Sequence, residues 1–187
     1  MSMSESPYKI KVSEYTDLQE LSKHTWIVML HASRIPPHVG ILIDGNYNSL
    51  TIKGHELNVR LEVLLKTIQQ KKIEALFIQL EKHPVFSAHY QLEIFQHHIQ
   101  QFTQVNDEAT CLSPVKHYLQ EFYVIPLQEP ELLFELVERL KQNQYIHKTI
   151  GLNIDGKLKD NEFELPIYSS EQLQKVIQTE RANFYKK

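Results

Sequence analysis

Two apolar runs, Trp26 to Ala32 and His38 to Ile43, constrain this chain more than any other feature. Both are too apolar for a half-exposed strand, so at least one face of each must be deeply buried. Between them lies the loop Ser33 to Pro37, and after the second comes Asp44-Gly45-Asn46. That triplet is a hairpin turn signal, because Gly and Asn tolerate positive φ, and it leads into a third strand, Tyr47 to Lys53. Three consecutive antiparallel strands are the expected result.

The rest of the chain reads as mixed α and β. Tyr8, Ile10 and Val12 alternate with polar residues as a short strand, and Thr16 to Gln19 opens a short helix with a capping box. Leu57, Leu61, Leu64, Leu65 and Ile68 recur at helical spacing, Ile73 to Leu80 reads as a strand, and Leu92, Phe95, Ile99 and Phe102 mark a further helix. Leu112, Val115, Leu119 and Phe122 form one stripe of the next helix. Pro114 must lie in its first turn, since proline lacks an N–H and clashes with the carbonyl four residues back. The helix therefore starts between Cys111 and Ser113. Pro130 to Gln142 is another amphipathic helix, Thr149 to Ile154 and Phe163 to Tyr168 are strands around Asp155-Gly156, and Ser169 to Gln172 caps a C-terminal helix.

The expected fold is α+β: an antiparallel sheet packed against a Cys-headed helix, with additional C-terminal α/β elements. At 187 residues with 42% hydrophobic and 23% charged content the chain reads as a single domain, 1–187, with a core over about 8–123 and an extension over about 124–187. A net charge of -3 offers no basic field to nucleic acid or anionic lipid. The first 15 residues lack an apolar signal region, and no apolar run approaches the roughly 20 residues that span a bilayer. A cytoplasmic location without a membrane span is the expectation.

Cys111 is the one cysteine, so there is no disulfide framework. It is either a small buried hydrophobe or a reactive group. Its place after the polar run Asn106 to Thr110, at a helix N-terminus, is where unpaired N–H groups and the macrodipole stabilise a thiolate. A nucleophilic cysteine also needs a base, and a His on a rigid strand end serves. Pro36-Pro37 stiffen the approach to His38, which opens such a strand.

The order of these parts, an apolar strand, a loop, His38-Val-Gly-Ile-Leu-Ile-Asp-Gly-Asn-Tyr-Asn-Ser-Leu50 and then a Cys-headed helix, resembles the circularly permuted branch of the NlpC-type papain-like superfamily. That branch includes lecithin-retinol acyltransferase-like enzymes. The resemblance covers roughly residues 26–53 and 108–123. It implies a permuted papain-like fold and a cysteine hydrolase or acyltransferase, with Cys111 as thiol nucleophile and His38 as general base. The family's third polar residue orients the imidazole from the next strand. There the sequence offers Asn48, Ser49 and Thr51, with His55 a little beyond and no carboxylate; His55 is the residue chosen. The implied substrate is a peptide or an acyl-bearing small molecule, with no cofactor and no metal. Composition says nothing about oligomeric state.

Two other readings stand beside it. The chain could be a papain-like scaffold without chemistry that binds a peptide or protein. Alternatively, Leu42 to Leu50 resembles the Asp-Gly-x-Asn opening of PIN and NYN nucleases, although such sites need several clustered carboxylates to hold their metals. The ten histidines contain no His-Glu-x-x-His. Adjacent His97 and His98 diverge by about 100° on a helix, which suits a solvated face better than a metal site.

Overall fold

The computed structural model describes residues 7–14, 17–125 and 132–186. In chain order the elements are β1 (Tyr8–Lys11), α1 (Leu18–Lys23), β2 (Trp26–Leu30), β3 (His38–Ile43), β4 (Asn46–Thr51) and β5 (Gly54–Arg60). Then follow α2 (Leu61–Gln70), β6 (Ala75–Leu80), α3 (Ala88–Gln100), α4 (Leu112–Tyr123) and α5 (Leu133–Gln142). The chain ends with β7 (Ile146–Leu152), β8 (Leu158–Lys159), β9 (Glu162–Leu165) and α6 (Ser170–Tyr185). The fold is α+β, with a six-stranded antiparallel sheet in the order β5-β4-β3-β2-β6-β7 and a three-stranded sheet in the order β1-β9-β8.

The apolar runs are buried on both faces, which is why they carry so few polar residues. Ile27, Met29, Ile41, Ile43, Leu76 and Ile78 pack into one core with α3 and α4, through Phe95, Ile99, Val115 and Leu119. Their alternates Trp26, Val28, Leu42, Tyr47 and Phe77 form a second core under Leu61, Leu64 and Ile68 of α2. At about 1.5–3 kcal/mol per buried large apolar side chain, these two layers supply the main driving force for folding.

The β3–β4 hairpin turns through Asp44 (φ 50) and Gly45 (φ 71), the paired positive φ of a type I′ turn. Gly40, in the middle of β3, lies under the Tyr47 ring; a Cβ there would come within 2.6 Å of that ring and of the Asn48 carbonyl. Only glycine permits this approach.

Residues 54–60 depart from expectation. The helical stripe counted from Leu57 begins only at Leu61, and Leu57 instead lies on β5. The pairing of β4 with β5 also carries a bulge: Tyr47 faces Val59, but Ser49 faces Glu56. Two steps along β4 therefore match three along β5, with Asn58 at φ 55 absorbing the extra residue. Buried Asn48 clasps this irregularity, its Oδ1 accepting from the Asn58 N–H at 2.8 Å and from Gln96 at 3.1 Å.

The expected extension after residue 124 is woven into the rest. β7 is the sixth strand of the central sheet, beside β6, and β9 pairs with β1 near the N-terminus. The strands read around Asp155-Gly156 are thus not partners of each other, and a 3₁₀ turn at Asp155–Lys157 separates them. Ser169 and Gln172 form the expected capping box of α6. At the first helix the side chain of Asp17 accepts from the Gln19 N–H, whereas Thr16 and Pro130 lie outside the described residues.

Candidate functional site

β2, β3, β4 and β5 run antiparallel, so the end of β2, the start of β3, the end of β4 and the start of β5 meet at one end of the sheet. Leu30, His38, Thr51 and Glu56 stand there and line a cleft of about 980 Å³. The start of α4 brings Cys111 and Ser113 to the same cleft, and α6 supplies Leu173, Gln174, Ile177 and Glu180 as another wall. This wall is pinned by Arg34 to Glu180 at 2.5 Å and Arg181 to Asp107 at 3.2 Å.

Cys111 caps α4. The first turn is stitched by Thr110, whose Oγ1 accepts from the Leu112 N–H at 3.1 Å and whose N–H donates to Ser113 Oγ at 3.0 Å. The thiol is buried and donates to the carbonyl of Pro37 at 3.9 Å, beside His38 in the chain. Burial pushes this thiol up to about 11. Backbone N–H groups of Val39, Cys111 and Leu112 pull the other way, and the Glu180 carboxylate adds to the rise. The helix N-terminus was expected to lower the thiol; desolvation of the charged form exceeds that help. At neutral pH the resting group is the thiol.

His38 is held from its far side. It shares a face of β3 with Gly40, which is paired with Ser49, so the His38 and Ser49 side chains project from the same side of the sheet. His38 Nε2 lies 3.1 Å from Ser49 Oγ, and the Ser49 hydroxyl donates to Glu56 Oε2 at 2.9 Å. Burial, followed by the positive charges of His31 and Arg34, lowers His38 to about 4, so its imidazole is neutral at physiological pH.

Of the four residues weighed as orienter, Ser49 is the one that reaches His38. Asn48 is engaged with Asn58 and Gln96, and the Thr51 hydroxyl donates to the Gly54 carbonyl within its turn. His55, the residue chosen from sequence, also lines the cleft, but its Nε2 lies 2.5 Å from the Phe102 carbonyl. Its ring therefore ties the β4–β5 turn to the end of α3, and it is Ser49 that holds His38.

Glu56 was missed. It falls between the third strand expected to Lys53 and the helical stripe expected from Leu57, and only the bulge brings it opposite Ser49. The alternation of β5 from Gly54 to Arg60 was the available signal.

Elsewhere, His97 is exposed, while His98 packs between α3 and α4 with 12% of its side chain exposed. It bonds Glu121 at 2.7 Å, so the solvated-face reading fits only the first of the pair. Among the described residues no group of three or more His, Cys, Asp or Glu could hold a metal ion, and no helix is long and apolar enough to cross a membrane. Neither the protein-family models nor the curated proteins nor the solved structures contain a match to this chain.

Proposed function

We propose that this chain is a cysteine-dependent acyl-transfer enzyme of permuted papain-like architecture, acting on an amide, ester or thioester. The observation that carries the reading is that one cleft holds a helix-capping Cys111 and an oriented, neutral His38, its Nε2 engaged by Ser49.

Both groups rest uncharged, so the thiol gives up its proton as it attacks. Sγ bonds to the carbonyl carbon while its proton is carried across the cleft, through water, to the other ring nitrogen of His38, Nδ1. N–H groups at the start of α4 stabilise the developing oxyanion. The bond to the leaving group then breaks, and His38 returns the proton to it. Water or another acceptor forms the next bond to the acyl carbon, and its proton goes through His38 to the departing sulfur.

The test is acylation by p-nitrophenyl acetate. The expected result is a burst of p-nitrophenolate equal to the protein present, with acetyl on Cys111, absent from Cys111→Ala and slowed at least a hundredfold in His38→Gln. A His38→Gln protein acylated as fast as the parent overturns the reading.

One observation favours a second reading, a scaffold that binds a peptide or protein: burial holds both the thiol and the imidazole in their uncharged forms. Such a scaffold has no use for His38 as a base, so its acylation is indifferent to His38→Gln.

A further inference from the structure

We propose that Glu56 is a positioning residue that fixes the tautomer of His38 through Ser49. Ser49 is fully buried and has a single hydroxyl hydrogen. That hydrogen points to Glu56 Oε2 at 2.9 Å, and an ionised carboxylate can only accept. Toward His38 Nε2, 3.1 Å away, Ser49 Oγ therefore has only lone pairs left, so Nε2 must be the nitrogen that carries the hydrogen.

In a neutral imidazole the lone pair is then on Nδ1, the nitrogen a general base must use when Nε2 is occupied. The relay is rigid at each joint: Ser49 and Glu56 are register partners on neighbouring strands, and Gly40 pairs Ser49 with the strand that carries His38. Without the carboxylate the Ser49 hydrogen is free to turn toward His38. Both tautomers then become compatible with the bond, and half the population presents a protonated Nδ1 that cannot accept. The role of Glu56 in turnover rests on the acyl-transfer reading, whereas the tautomer assignment does not.

The experiment is ¹⁵N NMR of protein labelled at the histidine ring nitrogens, with the His38 signals assigned by their loss in His38→Gln. The parent is expected to show His38 as one tautomer, Nε2 protonated and Nδ1 bare. Glu56→Ala is expected to move both resonances toward averaged values, with the remaining histidine signals unchanged as a record of the fold. Ser49→Ala, a second route to the same release, should do likewise. In parallel, Cys111 acylation by p-nitrophenyl acetate should slow about twofold in Glu56→Ala through kcat, with KM unchanged, as half of the His38 population loses its accepting Nδ1. A parent His38 protonated at Nδ1, or a tautomer that Glu56→Ala leaves unaltered, overturns the proposal. A Glu56-dependent tautomer in a protein whose Cys111 is never acylated supports the relay and removes the acyl-transfer reading.

Discussion

The depressed His38 makes stability depend on acid in a way that can be isolated. Its imidazole titrates at about 4 in the folded protein, against an ordinary value of about 6.5 in the unfolded chain. Between those values the unfolded chain binds a proton that the folded protein refuses. Stability from this group is complete above about pH 6.5 and is lost as the pH falls toward 4. The linkage relation puts the loss from pH 7 to pH 4.5 at about 2 kcal/mol, after allowing for the partial exposure of the ring. His38→Gln keeps a donor toward Ser49 but cannot titrate. Urea unfolding of both proteins at the two pH values gives the difference directly, because carboxylate titrations common to both cancel. At a slope of about 2 kcal/mol/M, the parent midpoint should fall by about 1 M more than that of the variant. Parallel falls would mean that His38 charges readily where it stands, and the burial argument for a neutral base would be refuted.

Two further outcomes follow from the same geometry. Cys111, pushed up to about 11, should react with iodoacetamide at pH 7.5 about two orders of magnitude more slowly than an unfolded-chain thiol, with a rate still rising past pH 9.5; a plateau near pH 8 would contradict the desolvation account. Gly40→Ala places a methyl 2.6 Å from the Asn48 carbonyl and the buried Tyr47 ring, neither of which has room to retreat, and should cost about 2–3 kcal/mol in urea unfolding.

The parts legible in the sequence are those set by local chemistry. β2 and β3 are apolar runs joined by a loop, a glycine turn leads from β3 into β4, Pro114 leaves one place for α4 to begin, and the Ser169 capping box fixes the start of α6. The parts that were not legible depend on partners distant in the chain. Nothing local sets β6 beside β2 or β9 beside β1. β5 was hidden because Leu57 stands four residues before Leu61 and so continues the helical spacing of α2 backwards. The candidate site shows the same division. Cys111 and His38 were visible from a helix start and a strand start, whereas Glu56 depends on a register shift. Had β4 and β5 paired without the bulge, continuing the Tyr47–Val59 register would have put Leu57 opposite Ser49 and left the hydroxyl without its carboxylate.

The wall that α6 contributes to the cleft has a consequence for synthesis. Synthesis runs from the N-terminus to the C-terminus, and a domain folds as a unit once its parts have emerged. β1 emerges without a partner, because β9 is about 150 residues later by register, and Cys111 emerges before Leu173, Ile177 and Glu180 exist to cover it. The nascent protein therefore carries a lone strand until β9 has emerged and an open thiol until α6 has followed it. The cleft is completed only once α6 takes its place beside the start of α4.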